Sequence, residues 1–496
     1  MTTVKEKLLR LSSDEIDERK KAKKDYYFYK GISENRDKSK IDEDLLGQNW
    51  TNNDDVDYEP TQDIRNRVKP LLKKQARWMF GKEPSIIITP INKADKNNCE
   101  ELRQFIDKLL DTQHFWKKTR KAFLISTIKK RVLLRISAKD GKVKIRYDDI
   151  DNFSYKEIDD NLREIRFFQE DLGNYNKEDK DKKYYIHRYS YMKFKEDEVL
   201  SAAYTIETYK GEDLEKPIKI KSEEIGYEIN KIPCWLIKNG GELGDEYGES
   251  DLYDLIEPQK NYNKRISDFA DALRFQMFGS DSIIDGNPDD VNKLSIAPNS
   301  LHAIRTDETV AASGKQAVHQ RLEYNMGNAH AINDYLETCK DDMNFILDMP
   351  SLKDLNNVPS AKAMRYLYND LIARCEEKWN DWEPILKELI IYIISIASEC
   401  KIPNFKAEWN KIDFTISFNH NYPIPSDEEE KKQIALSEVV ADVRSRKSYI
   451  NEYSKAEDAE EEFNEILNEK SIIEGIALGE FSGSFINKDN KLGKKK

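Results

Sequence analysis

Residues 232–273 read IPCWLIKNGGELGDEYGESDLYDLIEPQKNYNKRISDFADAL, and a change of hydrophobic period inside this stretch decides the fold. Ile232 to Ile237 is a short apolar strand opened by Pro233. Four glycines follow, Gly240, Gly241, Gly244 and Gly248, and these predict a turn that acts as a hinge between sheet and rod. Beyond them Leu252, Leu255, Ile256, Ile266, Phe269, Ala270, Leu273 and Met277 recur at helical spacing, with Gly279 as C-cap. Residues 252–278 predict a rod of roughly 40 Å, and Pro258 marks a kink or the true start of the helix.

Upstream of the turn the period is two. Val143, Ile145 and Tyr147 alternate, as do Tyr185, His187, Tyr189 and Tyr191, so residues 130–237 predict a β-meander. Further back, residues 61–80 predict a helix stopped by Gly81, then a short strand over 85–89, then a helix over 99–128. Residues 20–24, KKAKK, read as one solvated helix face, and Tyr26–Gly31 as an aromatic knot closed by glycine. Downstream, Ile283–Ile284 and Leu301–Ile304 predict two short strands in a compact insertion. A second long helix follows, with Val318, Leu322, Met326, Leu336, Cys339 and Met343 on its stripe. Met349–Pro359 breaks it, and residues 360–400 form a third, longer helix containing Pro384. Residues 412–418 alternate as a strand, and Ser426 with Glu429 predicts a capping box.

The 496 residues carry a net charge of −12, with 38% hydrophobic and 35% charged residues. That is a thin apolar supply for a large globular enzyme, and it predicts burial concentrated on a few faces. No apolar run is long enough for a transmembrane helix, and the first 21 residues show no secretory h-region. Five scattered cysteines form no CxxC pair, which points to a reducing cytoplasm. Residues 422–475 hold 15 acidic and 7 basic residues, net −8, so two thirds of the net charge lies there. A broad nucleic-acid-coating surface is excluded by this acidity.

Catalytic motifs are nearly absent from the sequence. The chain has no GxxxxGK[ST], HExxH or GxSxG, and its six histidines lack metal-ligand spacing. His187 reads as a strand residue. Asp148, Asp149 and Asp151 form a DDxD cluster, which a metal-dependent nuclease would need to hold divalent ions, although a solvated acidic turn is the commoner use of such a run. Glu242, Asp245 and Glu246 in the glycine-rich turn would repel phosphate. A coiled-coil filament would need sustained heptads, and prolines 258, 350, 359 and 384 interrupt them. The informative feature is the set of long striped helices, two of them flanking a small β insertion. Such rods need neighbours to bury their faces, and a symmetric oligomer supplies them.

Four stretches, in order, carry a family resemblance. They are YYFYKG with NRVKPLLKKQARWMFGKEPSI, the IPCWLIKNGG–GESDLYDLIEPQKNYNKRISDFADAL run, VPSAKAMRYLYNDLIARCEEKW (Ala361 where a glycine is more usual), and ISFNHNYPIPSDEEEKKQ. Together they resemble the portal proteins of tailed bacteriophages, in the lineage common among phages of Gram-positive bacteria.

The resemblance implies an α+β portal-like fold and a structural, non-enzymatic role without cofactor or bound metal. It implies an N-terminal arm at 1–60, a wing at 61–248, a first stem helix at 249–278 and a clip at 279–313. A second stem helix at 314–346, a tunnel loop at 347–359, a long wing helix and strand at 360–423, a crown at 424–480 and a basic tail at 481–496 would follow. It implies a dodecameric ring at one capsid vertex of the virion, assembled in the host cytoplasm, with double-stranded DNA passing through its channel. Terminase, a neck adaptor, and capsid and scaffold proteins would be its partners. On these positions Ser351, Leu352, Lys353, Asp354, Asn356 and Asn357 become tunnel-loop candidates for DNA contact, and Lys264, Arg265 and Arg274 candidates for the channel wall. Ile283, Ile284, Leu301 and His302 become clip candidates, with subunit core the favoured role for the apolar three. A channel that lets DNA slide should not pin its phosphates, and Lys353 is the one basic residue of the loop, beside Asp354.

Overall fold

The computed structural model describes residues 3–31, 61–139, 141–158, 161–193, 200–225, 231–242, 244–278, 280–291, 304–322, 329–351, 361–423, 428–453 and 460–470. The chain divides into two units, one of residues 1–356 and 367–423, the other of residues 357–366 and 424–496.

The first unit opens with α1 (Val4–Leu9) and α2 (Ser13–Lys30). Thr3 and Glu6 form a capping box on α1, Ser12 caps α2, and Gly31 ends it at φ 68°, a left-handed conformation that suits glycine. Residues 3–31 are packed onto the sheets. Leu8 and Leu9 pack with Tyr184, Ile186 and Tyr209, and Ala22 joins a core of Leu133, Phe153, Ile165 and Phe167. Arg19 donates from Nη2 to Phe153 O at 2.6 Å and also reaches Ile150 O. The lysines of KKAKK all face solvent while Ala22 is buried, as a solvated helix face requires. Residues 32–60 lie outside the described residues.

The sheets are antiparallel throughout. Strands β2 (Arg131–Lys139), β3 (Lys142–Asp149) and β9 (Cys234–Lys238) form a three-stranded sheet in the order β3-β2-β9. Strands β4 (Phe153–Ile158), β5 (Asn161–Glu170), β6 (Lys183–Lys193), β7 (Leu200–Lys210) and β8 (Lys219–Glu224) follow one another as a five-stranded meander. The β-meander expected over 130–237 is therefore present, divided into two sheets. His187 sits on β6 with its ring nitrogens 2.6 Å from Tyr204 Oη and 2.8 Å from Gln169 Oε1, a strand residue as read.

Strand β1 (Ser85–Pro90) pairs with β12 (Phe414–Asn419), residues more than 300 positions away, and so ties the two ends of this unit together. Helices α3 (Val68–Phe80) and α5 (Phe115–Lys129) share an aromatic core with the long helix α11 (Asn369–Ala397), which follows α10 (Ala361–Leu367) after Tyr368, while α4 (Lys96–Thr112) packs against β1 and α5. Phe80 lies 4.9 Å from Trp379 and 5.3 Å from Trp382, and both tryptophans are buried. Leu371, Cys375, Trp382, Leu386, Leu389 and Ile393 of the expected stripe are buried, and α11 continues through Pro384.

Four helix expectations change, the first being that the helix expected over 360–400 is interrupted at Tyr368, between α10 and α11. The helix expected over 99–128 is two, because His114 takes a left-handed conformation at φ 50° between α4 and α5. The helix expected over 61–80 begins only at Val68, with Pro70 tolerated in its first turn, where no intrahelical N–H is needed. The second rod expected from 314 is α9 (Ala329–Ile346); Val318 and Leu322 belong instead to β11 (Val318–Leu322), which pairs with β10 (Ser280–Ile284). The apolar spacing at 318 and 322 fits either period, and the pairing partner decides. Ile304 is not in a strand, and Leu301 and His302 lie outside the described residues. Among the described residues, short helices α7 (Pro288–Val291) and α8 (Glu308–Ala311) also lie in this insertion.

The second unit contains most of α10, then α12 (Glu428–Val440), α13 (Arg446–Tyr453) and helical residues 460–470. The capping box expected at Ser426 lies outside the described residues.

Candidate functional site

Two helices and the junction beyond them form the candidate site. Helix α6 (Ile256–Phe278) starts two residues before Pro258, so the proline marks its beginning. It packs against α9 in antiparallel fashion, with Leu336, Cys339 and Met343 buried and Lys340 Nζ 6.0 Å from the Tyr262 ring.

The remaining buried face of α6 is polar. Gln259, Asn263, Ser267 and Asp271 recur every four residues, all buried, and they receive the backbone of residues 61–67. The N–H of Thr61 donates to Asp271 at 3.0 Å, Asp63 to Ser267 Oγ at 2.9 Å, Arg65 to Asn263 Oδ1 at 3.1 Å and Arg67 to Gln259 Oε1 at 2.8 Å. Gln259 Nε2 returns a bond to Arg65 O at 2.9 Å. Two extended residues span about 6.6 Å and four helical residues about 6.0 Å, so the two periods run in register. These bonds replace the helix expected at 61–67.

Among the described side chains, the rest of α6 is half-buried or exposed. Lys264, Arg265 and Arg274 are all exposed, and Arg265 Nη1 lies 3.2 Å from Asp268. Leu273, expected on the buried stripe, is 41% exposed. On α9, Phe345 is 80% exposed. At the far end of the pair β10 and β11 form a two-stranded ribbon in which Ile283 is half-buried and Ile284 is exposed, so the structure does not place Ile284 in a subunit core.

The junction beyond α9 is organised by Asp251. Its carboxylate is buried and accepts from Lys378 Nζ at 2.9 Å, Gln75 Nε2 at 2.8 Å and Asn239 Nδ2 at 3.1 Å, with Arg374 Nη2 at 3.5 Å. Burial alone would raise its pKa, but Lys378 and Arg374 more than offset this and hold it below the ordinary aspartate value. Arg374 also donates to Asp348 Oδ2 at 3.1 Å and Ile346 O at 3.3 Å, and so fixes the C-terminal end of α9. Met349 is buried immediately afterwards and Ser351 is half-buried; Leu352, Lys353, Asp354, Asn356 and Asn357 lie outside the described residues. A cleft of about 490 Å³ opens here, lined by Asp341, Asp342, Asp348, Asp370, Phe345 and Ser351 among others.

The Ser250-Asp251 pair has a local role too. Asp251 N donates to Thr127 O at 2.9 Å and Ser250 Oγ to Ile128 O at 2.9 Å, which satisfies carbonyls at the end of α5. Asn239 N donates to Lys130 O, and Glu249 N to Asn239 O, so the glycine-rich turn is closed at its base and is no open hinge. Gly248 stands at φ 79° against this base, where a Cβ would come within 3.0 Å of Lys130 O. Sequence reasoning missed the junction. Its signal was Arg374 and Lys378 four apart on the apolar stripe of α11, beside Cys375 and Trp379.

The DDxD carboxylates are already engaged. Successive strand residues point to opposite faces, so Asp148 pairs with Arg135 while Asp149 turns the other way. Lys129 Nζ lies 2.7 Å from Asp149 and 2.8 Å from Asp151, with its side chain only 3% exposed. Burial lowers the Lys129 pKa, but the two carboxylates outweigh it and the net shift is upward. The cluster is the counterion of a buried lysine, and no group of metal-ligating side chains occurs among the described residues.

The family model described as phage portal protein, SPP1 Gp6-like, matches residues 9–474. The chain belongs to this family of phage portal proteins. No curated protein matches it. The match covers both units of this portal-family chain and carries the resemblance seen in its sequence through to membership. It lends nothing to the nuclease reading of Asp148, Asp149 and Asp151. No helix among the described residues is long and apolar enough to cross a membrane.

Proposed function

We propose that the chain is one subunit of a ring, dodecameric in the virion, at a single vertex of the phage capsid. DNA passes through the ring during packaging and ejection, and the chain is a structural part without catalytic activity of its own. The reading rests above all on the family match over residues 9–474. The geometry adds support. The α6–α9 pair leaves the 80% exposed Phe345 and the cations Lys264, Arg265 and Arg274 uncovered, as a rod awaiting a neighbour would.

In this reading residues 249–278 and α9 are stem, the α7–α8 insertion with Ile283, Ile284, Leu301 and His302 is the clip that docks terminase and later the neck adaptor, and 347–359 is the tunnel loop. Residues 424–480 are the crown, and capsid and scaffold proteins meet the ring from outside. Asp341, Asp342, Asp348 and Asp370 around the root of the loop would weaken phosphate adhesion, and so would the net −8 of residues 422–475. Lys353 is then the single cation of the loop offered to DNA.

Negative-stain microscopy with mass measurement tests the ring: closed rings with an axial hole support it, and a globular monomer under every assembly condition refutes it. Lys353→Glu tests the loop: packaging and DNA retention both unchanged would remove the loop from DNA contact.

A further inference from the structure

A groove of about 870 Å³ lies between α4, residues 141–144 and residues 402–409. Its floor is apolar, made by Phe105, Leu109, Val143, Ile402 and Trp409. Phe105, Phe405 and Trp409 hold one another edge to face or tilted, with centroids 5.4–5.6 Å apart. Trp409 is 2% exposed, and its Nε1 has no hydrogen-bond acceptor.

The rim has the opposite charge to the chain as a whole. Lys108, Lys142 and Lys144 are exposed and carry no ion pair among the described residues. Glu101, the carboxylate among the lining residues, is committed to Lys406. Three uncompensated cations around an apolar trough, in a protein of net charge −12, select an anionic occupant with an apolar side chain. Nucleic acid fits less well, because base stacking needs an exposed aromatic face and the Trp409 ring is buried.

We propose that this groove is a docking site for an acidic segment of another protein. One bulky apolar side chain lies against Phe105 and Leu109, and flanking carboxylates meet Lys108, Lys142 and Lys144.

The probe is a fluorescein-labelled twelve-residue peptide of Asp and Glu around a central Leu-Phe pair, titrated into the full chain and followed by anisotropy. The Trp409 indole N–H resonance, assigned with Trp409→Phe, is followed in parallel. Saturable binding is expected, with a shift of that resonance. The exposed double change Lys142→Glu and Lys144→Glu should weaken binding by about tenfold or more. Replacing Leu-Phe by Ser-Ser in the peptide should abolish it. Equal binding of the Ser-Ser peptide, or undiminished binding to the double variant, overturns the proposal. So does tighter binding of single-stranded DNA at the same lysines. A double variant that changes the oligomeric mass while the peptide fails to bind the parent chain would assign the groove to a second copy, and that too overturns it.

Discussion

Lys378 Nζ stands 2.9 Å from Asp251 Oδ1 inside the protein, and through Arg374 the same carboxylate is joined to Asp348 at the end of α9. The pair links the helix that spans the aromatic core to the rod that leads into residues 349–351. Asp251→Asn should cost about 3–5 kcal/mol, because it leaves Lys378 and Arg374 buried without their counter-charge. Urea unfolding of the two proteins checks this, and a difference below about 1 kcal/mol would show that the network is not stabilising.

The same carboxylate sets an acid sensitivity. Its pKa is held below the ordinary value, so its contribution is fully present above the unfolded value of about 3.9 and is lost as pH falls through the lower folded value. The stability gap between parent and Asp251→Asn should therefore narrow only below about pH 4. Urea midpoints at pH 6, 4 and 3 read it directly, and a gap already closed at pH 6 would contradict the assignment.

Lys129 depends on two carboxylates that are themselves partly solvated, with Asp149 34% and Asp151 44% exposed. After allowance for that screening, the double change Asp149→Asn and Asp151→Asn should destabilise by about 2 kcal/mol. Mg²⁺ or Mn²⁺ should leave the melting temperature of the parent unchanged and should elicit no DNA cleavage. Metal-dependent cleavage abolished by Asp149→Ala would reverse this view of the cluster.

Gln259 supports the N–H groups of Arg67 and Val68 at once, at 2.8 and 3.3 Å. Gln259→Leu keeps the volume but orphans both donors and should cost about 1–3 kcal/mol. Amide hydrogen exchange should quicken at residues 61–68 while α11 keeps its protection. Unchanged exchange at Arg67 and Val68 would mean that the segment is held by other contacts.

Phe345 is 80% exposed, so Phe345→Arg should alter subunit stability by less than about 0.5 kcal/mol. If the ring buries this surface, the variant should fail to assemble while melting like the parent. Mass photometry separates the outcomes, and rings formed in normal yield would place Phe345 outside the subunit interface.

Much of this protein was legible in its sequence. Alternation found the β-meander around Tyr185–Tyr191, and the three-to-four spacing of Leu371, Cys375 and Trp382 found the long helix, because burial on one face imposes those periods. The ordered motifs placed the chain in its family. The sequence could not say that residues 61–67 leave the helix before Val68, since their helical pattern yields to four side chains nearly two hundred positions later. Nor could it choose a strand for Val318–Leu322, whose spacing fits both periods until Ser280–Ile284 pairs with it. Asp251 shows the same limit. Its neighbours in sequence are Ser250 and Leu252, but its charge is kept in place by Lys378 and Arg374, and only the closing of β1 against β12 and the packing of α11 bring them together. Local periods follow from the covalent chain; the partners of a buried polar group are fixed only when distant segments meet and water is excluded between them.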